Sequence, residues 1–347
     1  MNLLEIFLEL LIVVIAVVSL VANLLVLVCF TCSAQVRAQM PGIFIINLSF
    51  CNILITVLNM PSTLFGVLKR QKPFGDHFCQ TVSFMDTFLT TNTMLSMAAL
   101  SIDRWIAVVF PLTYSSKMRL KNAALMVSYA WIHSFAFSLA AVLLSWVDYS
   151  PAYASCTVHL RDDDGSRGHF IVFTTVFHAC TFALSLFILC FTYTKVLQVA
   201  RFHCKRIDVI TVQTLMLLVD IHPSVKQRCL LEQKKRRRRA TKKICIFIGS
   251  FVLCFAPYVI TRLTELTPSV TVNRYWGIIS KCLVYSKAAS DPFVYSLLRQ
   301  QYKKALFELC NRILGRDSYT LSGHSSPSDM ENECCSQRVN KLKDTVT

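Results

Sequence analysis

Charge is what this chain has least of. Of its 347 residues 16% are charged and 54% are hydrophobic, whereas a soluble protein of such a length carries about a quarter charged residues. The deficit is concentrated, with no Asp, Glu, Lys or Arg in 10–36, 38–68, 122–147, 168–194 or 244–261. A membrane crossing takes about 20 predominantly apolar residues, so these stretches read as five membrane helices. The stretches 77–109 and 273–298 match them in length and apolarity but hold a few charges. Seven spans exclude a soluble globular protein. They make 10–298 one domain of an all-α membrane protein, a seven-transmembrane helix bundle.

Catalytic signatures are absent too. There is no nucleophile elbow, no HExxH pair and no Gly-rich phosphate loop, and the histidines are scattered. This argues against an enzyme and gives no reason to expect a cofactor or metal. The first apolar stretch lacks the basic lead-in of a signal peptide: Glu5 and Glu9 precede it, and its run exceeds the usual core of about 7–15 residues. It is read as a retained helix. Residues 1–9 contain no Asn-x-Ser/Thr acceptor, and the one such triplet, Asn47-Leu48-Ser49, falls inside the second helix. A short extracellular N-terminus is expected, without a large domain for capturing peptides or proteins.

Positive charge, by contrast, is plentiful and one-sided. The net charge is +16, and twelve of the 36 Lys and Arg residues lie in 202–243, including "KKRRRR" at 234–239. Lys117, Arg119 and Lys121 sit between the third and fourth spans, and Arg299, Lys303 and Lys304 follow the seventh. The positive-inside rule then puts the N-terminus outside, the C-terminus inside and a third intracellular loop at about 202–236. Beside a membrane helix the basic run reads as an anchor that also meets anionic membrane lipids, rather than as a nucleic-acid site. Most of the 15 cysteines lie in the spans as small apolar residues. Cys79 and Cys156 fall on the outer, oxidising side and are expected to pair.

Several motifs carry a resemblance. Asn23 in "VANLLV", "NLSFCN" at 47–52, "SIDRW" at 101–105, Trp131, Tyr193, "FVLCFAPY" at 251–258 and "DPFVY" at 291–295 occur in order. In these the chain, from about residue 10 to 311, resembles the rhodopsin-like (class A) G-protein-coupled receptors, and within them a small group of orphan receptors. The resemblance implies a plasma-membrane, multi-pass receptor partnered by a heterotrimeric G protein. It also implies a Cys79–Cys156 disulfide and an Arg104, next to Asp103, that swings toward the G protein on activation. A static interface pair is the plain alternative for Arg104.

"KCLVYSKAASDPFVYSLL" (281–298) is unusual in this setting. Lys287 and Asp291 are four apart and share a helix face. The family pattern has an Asp in the second helix and an Asn in the seventh, forming a sodium pocket. Here Asn52 and Asp291 are exchanged, with Thr93 supplying a third-helix hydroxyl. An isolated carboxylate in apolar surroundings must be paired, and the Lys287 ammonium is expected to do what sodium does elsewhere, unless Lys287 points away and Asp291 is neutral or hydrated.

Higher up, Asp86 falls where aminergic receptors hold an ammonium, and Tyr285 where they place a tyrosine bonded to that Asp. Lys281, one turn above Tyr285, faces the same cavity, so a Lys281–Asp86 pair would compete with any amine. Phe84, Phe88, Tyr258, Arg262 and Trp276, with Phe255 beneath, complete the expected pocket for an unknown small-molecule ligand or none. A receptor for an amine-like molecule contacting Asp86 is the alternative. An ion or proton transporter is a second one, because intramembrane Lys and Asp mark ion paths, although neither internal repeats nor broken helices accompany them.

The family's restraints are thinned out. Where the sixth helix usually presents a Glu to Arg104, this chain has Arg237. Phe255 replaces a Trp, Ser185 a Pro, and Met94 stands as its third-helix partner, while Phe251 is retained. These departures lead to an expectation of ligand-independent signalling, with the stimulatory, cyclic-AMP-raising class taken from the resemblance.

In the third inner loop the apolar 207–221 stretch is expected to continue the fifth helix or lie at the interface. "RDDDGSR" (161–167) is expected to be a solvated acidic cluster. Residues 299–314 form an amphipathic pattern expected to be a short eighth helix, with Cys310 a candidate for palmitoylation. The polar tail 315–347 is expected to be disordered and to offer Ser318, Thr320, Ser322, Ser325, Ser326 and Ser328 to receptor kinases and arrestin.

Overall fold

The computed structural model describes residues 3–32, 42–72, 75–160, 165, 167–217, 223–267, 270–298 and 311, with the backbone alone at 32, 203–217, 223–240 and 295–298. Seven long helices run through these residues. α1 is Leu3–Cys32, and α2 is Gly42–Lys69, which passes through a π-helical turn at Ile55–Asn59. α3 is Asp76–Val109 and α4 is Leu120–Leu143. α5 runs as Arg167–His178, a π-helical turn at Ala179–Ala183 and Leu184–Leu217. α6 is Pro223–Thr264 and α7 is Arg274–Leu298. At 1.5 Å per residue even the 24-residue α4 exceeds the hydrocarbon core of about 30 Å.

Five of the seven are long and apolar enough to cross a membrane by composition alone. The other two, α3 and α7, carry Asp86, Asp103, Lys281, Lys287 and Asp291, all buried. Greasy residues do the opposite: Val13, Val17 and Val21 of α1 and Leu125, Ile132 and Phe135 of α4 point outward, as suits hydrocarbon surroundings no less apolar than leucine. α3 packs against α2, α4 and α5, α6 against α5 and α7, and α1 against both α2 and α7. The last contact closes the ring.

Between α4 and α5 the chain makes a hairpin of two short strands, β1 (Val147–Ser150) and β2 (Ser155–Val158), antiparallel with Tyr149 opposite Cys156. Cys156 is bonded to Cys79 of α3, closing 77 residues. The turn at 151–154 settles onto two glycines. A Cβ on Gly66 of α2 would run into the Ala154 carbonyl, and one on Gly277 of α7 into the Ala152 carbonyl. Arg274 donates to the Pro151 carbonyl at 2.9 Å, Tyr149 Oη to the Gly66 carbonyl at 3.2 Å and Lys72 Nζ to Asp148 at 2.8 Å. The hairpin is thus a lid fastened to α2, α3 and α7.

Three boundaries differ from the sequence expectation or sharpen it. α1 begins at Leu3, so Glu5 and Glu9 lie on the helix instead of ahead of it, and Glu5 is buried and ion-paired to Arg70. The 207–221 stretch continues the α5 backbone as far as Leu217. Of the expected eighth helix and tail (299–347) only Asn311 is described, and Cys310 lies outside the described residues, as do 161–164 and 166 of the acidic cluster.

The glycine seats generate a prediction. Gly277→Ala has to displace backbone and is expected to cost about 1–3 kcal/mol, read as a lower melting temperature of the solubilised protein. Gly249→Ala, where a Cβ meets nothing within 4 Å, is expected to be neutral or slightly stabilising, since alanine suits a helix better by up to about 1 kcal/mol.

Candidate functional site

Beneath the lid, α3, α5, α6 and α7 enclose a narrow cavity of about 50 Å³. A water needs roughly 10–15 Å³ of such space, so this is room for a few waters. Asp86 of α3 and Lys281 of α7 meet on its wall: Lys281 Nζ is ion-paired to Asp86 Oδ2, and both residues are buried. The second carboxylate oxygen accepts from Asn59 Nδ2 at 3.0 Å. Asn59 closes the π-helical turn of α2, where Pro61, two residues on, cannot donate a backbone bond. The Lys281 ammonium also lies 5.0 Å from the Tyr258 ring and 5.7 Å from the Tyr285 ring.

Tyr285 does not bond Asp86, as the resemblance implied. Its hydroxyl lies 2.8 Å from Thr63 Oγ1 and 3.5 Å from the Asn59 carbonyl, on α2. Asn59, missed in the sequence, takes the position next to Asp86.

Other expected pocket residues are also displaced. Phe84 and Phe88 do not line the cavity. They pack on α4, Phe84 edge-on to Phe135 at 5.8 Å and Phe88 edge-on to Trp131 at 5.3 Å. Two residues either side of Asp86 is about 200° round a helix of 3.6 residues per turn, so they cannot share its face. Trp276 is half-exposed and donates to Thr261 Oγ1 at 2.9 Å. Phe255 is buried deeper, edge-on to Phe251 at 5.1 Å, and the cavity does not reach it.

The face of α3 that does look in carries Thr87, Thr90, Thr91 and Met94, opposite Phe173, Thr174, Phe177, His178 and Thr181 of α5. The spacing of those residues from Asp86 was the available signal. Thr174 Oγ1 is buried with no hydrogen-bond partner among the described residues, and His178 Nδ1 donates to the Thr174 carbonyl at 2.8 Å.

Arg262 of α6 lies where the cavity meets an outer hollow of about 400 Å³ edged by Arg167, His159 and Glu265. Its guanidinium bonds Glu265 at 2.6 Å and the Val158 carbonyl of β2, and sits 5.3 Å from the Tyr153 ring. Both cations of the cavity are therefore matched by a carboxylate.

Deeper in the bundle Lys287 Nζ is ion-paired to Asp291 Oδ1, both fully buried. Asn52 Nδ2 reaches Asp291 Oδ2 and Asn23 Oδ1, each at 3.2 Å, and Asn23 Nδ2 donates to the Ala288 carbonyl at 2.9 Å. Thr93 stays out of this cluster, its hydroxyl bonding the Leu89 carbonyl of its own helix at 2.9 Å. A threonine on a helix has that local acceptor always within reach. A second polar knot ties α2, α3 and α4, where Trp131 donates to Asn47 at 2.7 Å and Asn47 to Asn92 at 2.7 Å.

At the inner end Arg104 pairs with Asp103 of its own helix at 3.3 Å, and Tyr114 donates to Asp103 at 2.7 Å. Burial first, then the Asp103 carboxylate, push the Tyr114 hydroxyl well above its ordinary pKa and keep it a donor. Tyr193 lies 5.2 Å from Phe247, ring to ring, its buried hydroxyl without a partner among the described residues. Phe251 stacks on Phe182 at 5.7 Å, while Ser185 and Met94 are buried. Arg237 and Tyr295 fall on helical backbone, and their side chains lie outside what is described.

Helices that close a ring around a small cavity holding a buried ion pair, under a disulfide-tied lid and above an inner Asp–Arg pair, make a seven-helix membrane receptor. The chain belongs to the rhodopsin family of 7 transmembrane receptors, whose profile matches residues 22–295. It is 60% identical to the human G-protein coupled receptor 26 over 315 residues, 91% of this chain and 93% of that one. It is 48% identical to the human G-protein coupled receptor 78 over 320 residues, 92% and 88% of the two chains. The human histamine H2 receptor is 26% identical over 314 residues, 88% and 80%. Family membership makes the protein a multi-pass plasma-membrane receptor whose partner is a heterotrimeric G protein, not an enzyme, and displaces the transporter alternative.

The deep pair is testable by a double-mutant cycle. Lys287→Met or Asp291→Asn alone leaves a buried charge uncompensated and is expected to cost about 3–5 kcal/mol. The double variant, with neither charge, is expected to recover most of the lost melting temperature.

Proposed function

We propose that this receptor signals without an added ligand, acting through Arg104 on the stimulatory, cyclic-AMP-raising class of G protein. One observation carries the reading: the ion pair described for Arg104 is to Asp103 of its own helix, and the α6 position from which the family's Glu would hold it is Arg237. Two arginines repel. A restraint of about 1–2 kcal/mol shifts a two-state ratio by a factor of roughly 5–30, so losing it raises a minor active state of about 0.1–10% several-fold or more. The buried Tyr193 hydroxyl, without a hydrogen-bond partner among the described residues, is a group that a rearrangement could satisfy, and an unsatisfied buried polar group costs about 1–3 kcal/mol. The choice of G-protein class rests on the family resemblance.

Two further parts belong to this reading. The Lys287 ammonium supplies at Asp291 the positive charge that a sodium ion supplies in the family pattern. The tail serines and threonine from Ser318 to Ser328 recruit arrestin once receptor kinases have acted on them, and the basic inner face binds anionic lipid. The amine alternative draws on the likeness to a receptor named for histamine and on Asp86, but Asp86 already has a cation against it.

Cyclic AMP in cells expressing graded amounts of the unmodified receptor is expected to rise with expression and to return to background in Arg104→Ala. Arg237→Glu is expected to lower it several-fold at equal surface density. A level that ignores expression, or that Arg104→Ala leaves intact, contradicts the reading.

A further inference from the structure

We infer that Lys281 is an internal ligand: the receptor contains a complete recognition site for a primary ammonium, and the chain's own side chain fills it. The inference goes beyond the reading above, concerns the cavity instead of the inner end, and does not depend on ligand-independent signalling.

The site is assembled from four helices, α2, α3, α6 and α7. Asp86 supplies a buried carboxylate, oriented by Asn59 through one oxygen at 3.0 Å. Tyr258 and Tyr285 turn ring faces toward the same point, 5.0 and 5.7 Å from the ammonium nitrogen, inside the distance of about 6 Å at which a cation is attracted to a ring. A carboxylate between two aromatic rings is what a protein builds to bind an organic ammonium. Here the nitrogen is Lys281 Nζ, on a side chain that is 1% exposed.

Two consequences follow for outside ligands. A cationic molecule entering the cavity meets an ammonium where the carboxylate would attract it, so the receptor as it stands rejects amines. The second cation, Arg262, is matched by Glu265 and by the Val158 carbonyl, so the cavity has no unbalanced charge to attract an ion of either sign. Truncating Lys281 to alanine removes three carbons and the nitrogen, the equivalent of n-propylammonium. It leaves a hole of that shape beside an uncompensated Asp86, and the truncated receptor becomes a receptor for small primary ammonium ions.

The experiment uses full-length protein in four forms: unmodified, Lys281→Ala, Asp86→Asn and the double variant. Melting temperature is followed against n-propylammonium, with n-propanol as the uncharged isostere. Lys281→Ala is expected to melt lower than the unmodified receptor and to be raised saturably by n-propylammonium, not by n-propanol. The unmodified receptor and the double variant are expected not to shift. If Lys281→Ala fails to reach the cell surface, n-propylammonium in the medium is expected to restore it, while the double variant reaches the surface unaided. No shift and no surface recovery in Lys281→Ala overturns the inference, as does a shift that persists in the double variant or appears equally in the unmodified protein. Neither readout involves signalling, so a silent receptor would sink ligand-independent activity and leave this inference standing.

Discussion

A charge inside a membrane protein must bring its own counter-charge, and the seventh helix of this receptor is organised by that constraint. It carries two ammonium groups and one carboxylate into the bundle, all buried. Each ammonium meets a carboxylate, one four residues along on the same helix and one across on α3. The carboxylates in turn accept from Asn52 and Asn59 of α2, and Asn23 links α1 to the α7 backbone. α7 is thereby fixed to three neighbours through polar contacts, while the apolar faces of the bundle are left to lipid. A buried pair is itself weak evidence of net stability, because desolvation offsets the attraction; what it enforces is that neither partner can leave alone.

The outer half follows from a second constraint, close approach. The β1–β2 hairpin lies against α2 and α7 only where glycine lets a carbonyl in, and the disulfide holds its second strand on α3. The cavity below is correspondingly small, and Arg262 stands between it and the outer hollow. A closed lid, a narrow cavity and an Asp86 already in contact with a cation are parts of one arrangement, in which the proposed ligand site is satisfied from within.

The bundle was legible in the sequence because membrane crossings announce themselves as uncharged runs, and the two runs that broke the rule held the residues of most interest. The charged residues of the ion pairs stood out for the same reason, since Lys281, Lys287 and Asp291 have few places to go in an apolar helix, but their pairing stayed open in the sequence and is given by the structure. The pocket wall was read less well. Phe84 and Phe88 were attractive as aromatics, yet helical geometry turns them away from Asp86, and the threonines that do face inward look unremarkable in a list. Asn59 was hidden by the π-helical turn, which shifts the facing of α2 by one residue in a way that a regular period does not anticipate. The hairpin lid escaped notice because its strands are four residues each and its glycine seats lie far apart in the chain.

The central claim is that the charge balance of the core is internal. It is tested most directly by the melting temperature of the purified receptor as sodium replaces choline at constant ionic strength, in the unmodified protein and in Lys287→Ala. The account predicts no sodium dependence in the unmodified receptor and a sodium-dependent rise in Lys287→Ala, where Asp291 has lost its partner. Stabilisation of the unmodified receptor by sodium over choline would contradict it.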